Sequence, residues 1–230
     1  MQRQRPISTA EVKILDPRDA STGSCGAELL DPTLALQNGQ WRLYLAGQAG
    51  GFGATGLFSA SLPAGAPLSA TGWKLTRDES GALQPLAGNS FSKTWDGQGG
   101  RHCPAYAKGW DPRTQQWVER IYYAGSAANL WGPYTIGYLQ WDGEKWVDQP
   151  EPAFLAQEEW EHDSVYEPNV LYHDGKWKLW YVAGSNQEDY LIHGYAESED
   201  GRSNWNGRQI FCDAGVEAIR FLRPAARRRL

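Results

Sequence analysis

A motif that occurs three times constrains the fold of this 230-residue chain more than any other feature. The copies occupy residues 30–47, 103–125 and 167–184, and each has a proline before an apolar segment and an aromatic segment that ends in Ala-Gly. Each copy is followed by a further segment that opens with or near a glycine, then by a turn and a tryptophan. Such internal repetition predicts one supersecondary unit that packs repeatedly on copies of itself.

The side-chain pattern within each copy predicts β-strands. In the segment KWKLWYV, residues 176–182, the side chains alternate between two sets with the period of two that is typical of a strand. The pairs Asn38-Gly39 and Asp174-Gly175 stand between apolar runs. A two-residue hairpin turn needs positive φ, which these pairs adopt at low cost, so each copy is predicted to be an antiparallel meander.

The composition also favours short strands and tight turns, because the chain has 26 Gly, 13 Pro, 12 Trp and 11 Tyr. Meanders that repeat with a tryptophan at a fixed place are typical of β-propeller blades. We therefore predict an all-β chain with a lead-in over residues 1–26 and propeller blades over residues 27–212. Residues 213–230 are predicted to be a basic tail that is truncated or disordered. A generic antiparallel sandwich is the alternative fold.

The spacing of the copies predicts an incomplete propeller. Pro32, Pro104 and Pro168 are 72 and 64 residues apart, further than the ~40 to 50 residues of compact blades. At that spacing the chain holds three blades and part of a fourth, whereas an independent propeller usually has at least four. Either residues 75–100 form a hidden blade or the propeller is incomplete. An incomplete propeller leaves a strand edge exposed, which predicts a homodimer.

Charge and cysteine content limit the classes of partner. The net charge is -5 although residues 217–230 contain five arginines and one glutamate, so the rest of the chain is more acidic still. Nucleic acid and anionic membranes need clustered basic residues, so we expect neither as a partner, and a neutral ligand fits better. Three cysteines and no Cys-x-x-Cys pair predict free thiols, and we expect no metal and no cofactor. No secretory signal is apparent, which predicts a cytoplasmic protein, or a secreted one whose signal was removed.

Two segments carry a resemblance to a known family, namely LDPTLALQNGQWRLYLAG from residue 30 and VYEPNVLYHDGKWKLWYVAG from residue 165. They resemble the inner strands of the five-bladed glycosidase propellers of the arabinanase and β-xylosidase type and of the invertase and levansucrase type. The resemblance covers residues 27–206. It implies an acidic residue in the first blade as nucleophile or base, which Asp31 matches. It also implies a glutamic acid from a later blade as the general acid, which Glu167 matches.

One position departs from that pattern. The invertase-like pattern has Arg-Asp-Pro in the second repeat, with an aspartate that stabilises the transition state, but this chain has Cys103 before Pro104. The stabilising aspartate is therefore missing or displaced, and Asp96 and Asp163 are candidate replacements. This departure puts hydrolysis in doubt more than it does sugar binding.

The predicted function is that of a glycoside hydrolase-like protein acting on glycosidic bonds of a neutral oligo- or polysaccharide. One carboxylic acid would protonate the leaving oxygen and one carboxylate would attack or activate water. The predicted sugar contacts are Arg101, His102 and four tryptophans outside the strand pattern, namely Trp95, Trp110, Trp131 and Trp160. Five further tryptophans are predicted to pack in the protein, namely Trp41, Trp117, Trp177, Trp180 and Trp205. The alternative is a catalytically silent propeller that binds carbohydrate or a protein, in which Asp31 and Glu167 only initiate turns before proline.

Overall fold

A computed structural model describes eight parts of the chain, namely residues 15, 29–47, 55–68, 72–87, 95–97, 100–127, 132–184 and 191–211. Twelve β-strands and one short 3-10 helix, Glu159–Glu161, are the regular elements of these residues. The strands form three antiparallel sheets of four strands each, and the strand order within every sheet follows the chain. Residues 213–230 and nearly all of residues 1–26 lie outside the described residues, so the domain limits stay predictions.

Each sheet is one blade of consecutive strands. The first blade comprises β1 (Leu29–Gln37), β2 (Gln40–Gly47), β3 (Gly56–Ser61) and β4 (Lys74–Leu75). The second comprises β5 (Gly100–Asp111), β6 (Gln116–Ser126), β7 (Tyr134–Trp141) and β8 (Trp146–Asp148). The third comprises β9 (Val165–His173), β10 (Lys176–Ala183), β11 (Ile192–Ser198) and β12 (Asn206–Ile210).

This arrangement confirms the all-β prediction and the three propeller repeats. Trp41, Ile121 and Trp177 lie on the second strands of three different blades. Residues 75–100 add no further sheet in their described part, where an isolated bridge between Arg77 and Leu83 follows β4. The incomplete propeller is therefore the alternative that fits the described residues.

The hairpin turns have the backbone geometry that their sequences predict. Asn38 and Gly39 have φ of 51° and 74°, and Asp174 and Gly175 have φ of 53° and 77°. Positive φ at both central residues is the requirement of a type I′ turn, whose twist matches that of the flanking strands. These turns set the register of β1 with β2 and of β9 with β10.

The blades pack face to face through aromatic side chains. Trp177 of the third blade is fully buried and lies 6.1 Å, between ring centroids, from Tyr122 of the second blade. Gly109 allows this close approach, because a Cβ atom there would lie 2.6 Å from the Trp177 ring. The first and second blades bury Tyr44 and Tyr123 in a second cluster. The first strands adjoin one another, since β5 contacts both β1 and β9.

A buried ion pair of the second blade lies beside the same junction, and an arginine of the third blade joins it. Arg120 Nη2 lies 2.7 Å from Asp111 Oδ2, and both side chains are fully buried. Arg202, in the turn after β11, also pairs with Asp111 at 2.5 Å. The Arg120 guanidinium lies 4.8 Å from the Trp177 ring centroid, so charge and aromatic packing act together there.

The tryptophans predicted to pack fall into two groups. Trp177 and Trp205 are buried, and Trp41 and Trp180 are partly buried. Trp117 is 60% exposed, and its ring packs edge-on against those of Tyr172 and Trp110, at 5.5 and 6.3 Å between centroids. It is the second residue of β6, directly after an exposed turn, so its ring projects at the rim of the blade. Among the residues that the structure describes, no helix has the length and apolar character needed to cross a bilayer.

Candidate active site

The first strand of every blade has an irregularity at the same step. The β-ladder skips residues 31–32 in β1, residues 103–104 in β5 and residues 167–168 in β9. In each case the second skipped residue is a proline, which has no N–H to donate to a ladder. A β-bulge of this kind re-aims the side chain of the extra residue.

The residue before each proline has a left-handed backbone. The φ angles are 51° for Asp31, 50° for Cys103 and 49° for Glu167. Residues with a Cβ rarely adopt this conformation, which costs roughly 1–2 kcal/mol per residue. Strained backbone of this kind concentrates at functional sites, so three equal outliers at one level of the fold mark a candidate site.

These three bulges line one pocket. Its volume is about 290 Å³, and its walls come from the first strands of all three blades, namely residues 31–33, 103–106 and 167–170. The structure therefore brings Asp31 and Glu167 into one cavity. A larger cavity of about 390 Å³ lies on the third blade alone, where Lys176 and Lys178 already neutralise its Glu197. The shared pocket is the better candidate because it collects carboxylates from two blades.

Cys103 bridges the two acidic residues. Its backbone N–H and its thiol donate hydrogen bonds to Asp31 Oδ2, at 3.2 and 3.4 Å respectively. Burial raises the pKa of the Cys103 thiol, and the charge of Asp31, the hydrogen bond to it and the charge of Glu167 raise it further. The hydrogen bond from the Glu167 backbone N–H lowers it by less. The thiol is therefore a neutral donor at neutral pH.

Asp31 and Glu167 have no basic partner in the part of the chain that the structure describes. Both residues are exposed, and within the described parts of the chain neither forms an ion pair with Arg, Lys or His. Cys103 donates to only one oxygen of Asp31, and no described residue donates to the Glu167 carboxyl group, so both groups have oxygens available to a ligand. The two groups can therefore exchange protons with a molecule that enters the pocket.

An aromatic layer lies behind Glu167. Tyr166 and Tyr134 approach to 5.3 Å between ring centroids, and the His102 ring lies 6.0 Å from Tyr134. Burial, followed by the charge of Glu167, raises the pKa of Tyr166 to about 12. The Thr55 hydroxyl lies 2.9 Å from His102 Nε2. His102 is not one of the residues that line the pocket, and contact between its ring and a ligand stays a prediction.

Arg101 lies in a buried ion network. Its guanidinium pairs with Asp96 at 3.1 Å and with Asp148 at 2.7 Å, and it stacks 5.0 Å from the Tyr123 ring centroid. Arg101 and Asp96 are 4% exposed, and neither lines the shared pocket. Ligand contact by Arg101 and the replacement role of Asp96 therefore stay predictions.

Three of the four predicted tryptophans, Trp95, Trp110 and Trp160, lie outside the pocket wall, as does Asp163. Trp95 covers Gly137, where a Cβ would lie 2.0 Å from its ring, and Trp160 stacks 6.2 Å from Tyr181. Trp110 is near the end of β5 that is remote from Cys103, and Trp131 lies outside the described residues. Asp163 is exposed and follows the 3-10 helix. Their roles in binding or catalysis stay predictions. In the described parts of the chain, no three His, Cys, Asp or Glu residues are grouped to hold a metal.

Sequence reasoning missed three other lining residues, Thr33, Tyr106 and Asn169. Thr33 and Asn169 each stand two residues after the acidic residue of their repeat, so alignment of the repeats could have found them. The Tyr106 backbone N–H donates to Thr33 Oγ1 at 3.4 Å, which ties the first two blades together beside the pocket.

No family profile and no curated protein matches this chain. Solved structures do resemble it. A family 117 glycoside hydrolase from the marine bacterium Zobellia galactanivorans is 16% identical with a TM-score of 0.58, over 79% of this chain and 55% of that one. Sucrose-6-phosphate hydrolase from Lactobacillus gasseri is 16% identical with a TM-score of 0.56, over 81% of this chain and 35% of that one.

The catalytic domain of the Coprinopsis cinerea GH62 α-L-arabinofuranosidase is 12% identical with a TM-score of 0.51, over 86% of this chain and 54% of that one. This chain thus spans about half the length, or less, of these solved structures. Identities this low establish the fold and not the activity. The chain therefore has the fold of the β-propeller glycoside hydrolases, and its described residues form three of the blades.

Proposed function

We propose that this protein is a glycoside hydrolase-like protein that acts on glycosidic bonds of a neutral oligo- or polysaccharide through Asp31 and Glu167. The observation that carries the proposal is that these two carboxylic acids, from the first and third blades, line one pocket at the same bulge. Hydrolysis of a glycosidic bond needs two such groups on either side of the bond.

The surroundings of Asp31 and Glu167 support different catalytic roles for the two residues. Asp31 Oδ2 accepts two hydrogen bonds from Cys103, which orient its carboxyl group for the role of nucleophile or base. Glu167 is the general acid and protonates the leaving oxygen. The third catalytic group implied by the resemblance has no carboxylate in the pocket wall, so the proposal relies on two residues, and Asp163 stays a candidate for the third role.

The charge of the pocket supports a neutral substrate. The Asp31 carboxylate, which has no basic partner among the described residues, repels an anionic sugar, whereas hydroxyl groups can donate hydrogen bonds to it. The Thr33 and Asn169 side chains add polar groups to the same wall. Tyr106 provides an aromatic ring beside them, an arrangement that suits a sugar with one apolar face.

A second candidate function rests on Cys103. If a third carboxylate is needed for turnover, a thiol in its place leaves a propeller that binds carbohydrate or a protein without cleaving anything. This alternative predicts that ligand binding occurs and hydrolysis does not.

The test is a panel of neutral chromogenic aryl glycosides with good and poor leaving groups. Glu167→Gln is expected to lower the rate about 10²- to 10⁴-fold on substrates with poor leaving groups, and less on substrates with good ones, because only the former need a proton. Glu151→Gln, at an exposed glutamate outside the pocket, is the matched control and should turn over normally.

Equal turnover by Glu167→Gln and Glu151→Gln would contradict the assignment of Glu167. If the unsubstituted protein binds an oligosaccharide in calorimetry and hydrolyses no member of the panel, the binding module is the correct function. A ligand-bound crystal structure would then measure the separation of the two carboxyl groups, which is ~5 to 5.5 Å in retaining enzymes and ~6.5 to 9.5 Å in inverting ones.

A further inference from the structure

Cys103 occupies the middle of the three equivalent bulges. Its blade lies between the other two, since β5 contacts both β1 and β9. Its thiol therefore faces a carboxylate from each side, with Asp31 in hydrogen-bond contact. The left-handed backbone at position 103 does not favour cysteine, so the presence of a thiol there needs a separate explanation.

The two hydrogen bonds from Cys103 converge on a single oxygen. The backbone N–H at 3.2 Å and the thiol at 3.4 Å both reach Asp31 Oδ2. Within the described residues, Asp31 Oδ1 receives no hydrogen bond. This arrangement restricts the rotation of the carboxylate and leaves Oδ1 without a hydrogen bond from the described residues, in a side chain that lines the pocket.

We propose that Cys103 is a positioning residue for Asp31, which it holds through its thiol so that the free oxygen faces the substrate. This inference rests on the proposed function, because it assigns a role to the side chain that holds the proposed nucleophile or base. The bulge alone would supply only the backbone N–H, which every residue at position 103 except proline has. The thiol is the part of the contact that depends on the residue type.

The thiol can fill this role because it stays protonated. Burial and two neighbouring carboxylates oppose its ionisation, and a thiolate at this place would repel Asp31 instead of donating to it. The coupling is reciprocal, so removing the charge of Asp31 must make the thiol easier to ionise. That reciprocity provides a test that needs no enzymatic activity.

The first experiment measures alkylation of Cys103 by iodoacetamide across pH. The full chain carries Cys25→Ser and Cys212→Ser, so that only Cys103 reacts. Asp31→Asn in this background is expected to move the midpoint of the pH profile to lower pH. Alkylation below the midpoint should be about tenfold faster for each unit of movement. Glu167→Gln should move the midpoint less, and Glu151→Gln should leave it unchanged.

The midpoint separates ionisation from access, because a more open pocket raises the rate at every pH without moving the midpoint. If Asp31→Asn and Glu151→Gln have the same midpoint, the contact between Cys103 and Asp31 does not exist and the proposal is overturned. This result would stand whether or not the protein hydrolyses glycosides.

The second experiment compares three variants at position 103 on a confirmed substrate. Cys103→Ser keeps a donor and should keep kcat within a few fold. Cys103→Ala loses the donor to an ionised group and should lower kcat about ten- to a hundredfold, with little change in KM. The acidic limb of its pH-rate profile should move to higher pH, an effect that a merely structural role would not produce.

Equal kcat values and equal pH profiles for the Ser and Ala variants would overturn the positioning role. A higher kcat/KM for Cys103→Asp than for the unsubstituted protein would also overturn it, because the cysteine would then stand in place of a catalytic carboxylate that the chain has lost. Absence of hydrolysis in every form would remove the proposed function, while the alkylation profiles would still decide whether Cys103 holds Asp31.

Discussion

Acidic residues in the pocket and acidic residues between the blades differ in their partners. Asp111 lies between the second and third blades, fully buried, with Arg120 at 2.7 Å and Arg202 at 2.5 Å. Asp31 and Glu167 in the pocket are exposed, and the structure gives neither a basic partner among the described residues. The arginine-paired carboxylates therefore support the fold, whereas the pocket carboxyl groups, of which Asp31 is held by the neutral donor Cys103, have oxygens available to a ligand.

A second arginine-paired carboxylate lies within the third blade and the segment that precedes it. Glu161 in the 3-10 helix is fully buried, pairs with Arg208 at 2.6 Å and accepts a hydrogen bond from Tyr181. Its carboxylate also accepts backbone hydrogen bonds from Gln157 and Glu158 at 2.7 and 3.0 Å. A carboxylate saturated in this way has no oxygen left for a ligand, so its burial is consistent with a structural role.

The largest expected effect is on the free energy of unfolding, which should differ between a buried, arginine-paired aspartate and an aspartate of the pocket. Asp111→Asn should lower the free energy of unfolding by about 3–5 kcal/mol, because it leaves the buried Arg120 charge without its main partner. Asp31→Asn, the same change in the pocket, should alter it by less than about 0.5 kcal/mol. Urea unfolding at pH 7 measures both values. Comparable losses from the two variants would contradict the contrast.

The homodimer expected of an incomplete propeller stays a prediction, and β1 is the place to test it. Leu34 and Leu36 are 43% and 56% exposed on one face of this strand, whereas Ala35 and Gln37 are buried on the other. If that face meets a second copy, Leu34→Lys with Leu36→Lys should weaken self-association about a hundredfold, from lost apolar burial of roughly 3 kcal/mol. Light scattering across micromolar concentrations tests this, and an unsubstituted monomer throughout would exclude the dimer.

A smaller effect concerns the strain at the bulge. Glu167→Gly should raise the free energy of unfolding by about 0.5–1 kcal/mol, because glycine tolerates positive φ and the glutamate side chain is exposed. Asn169→Gly is the matched control, two residues along the same strand at an exposed position without positive φ, and it should lower the value by a similar amount. Destabilisation by both glycines would show that the bulge is not strained.

The smallest effect is a pH dependence on the third blade. Hydrogen bonds from Tyr195, Lys176 and Lys178 lower the pKa of Glu197 from 4.5 to about 2. A depressed pKa stabilises the folded state above pH 4.5, and this contribution is lost as the pH falls toward 2. The site is open to solvent, so the contribution should stay below about 1 kcal/mol and shrink with salt. Glu197→Gln should flatten the decline of stability between pH 4.5 and 2, and an unchanged decline would count against this pairing.

The sequence predicted features that depend on neighbouring residues. The turns at Asn38-Gly39 and Asp174-Gly175, and the strands that they connect, follow from local φ preferences and side-chain alternation. Alignment of the repeats also predicted that Asp31 and Glu167 occupy equivalent places, and the structure brings both into one pocket.

Features that depend on distant partners could not be predicted in the same way. Arg101 was expected to contact a sugar, but it is buried by its ion pair with Asp148, 47 residues away in the chain. Trp95 was assigned to a loop that contacts ligand, and it packs over Gly125 and Gly137 of the second blade. Local composition and periodicity do not predict these contacts, because the residues involved are far apart in the chain and meet only in the folded blade.

The three bulges are alike in backbone and different in chemistry, which gives the pocket a direction. Asp31, Cys103 and Glu167 have φ angles within two degrees of one another, yet they present a carboxylate, a thiol and a carboxylate on a longer side chain. At these three positions the backbone repeats while the functional groups differ. A sugar that is turned end for end would meet the short and the long acid in exchanged places. We expect the pocket to accept a polar chain in one orientation, so the asymmetry of three residues sets the polarity of binding on a nearly symmetric frame.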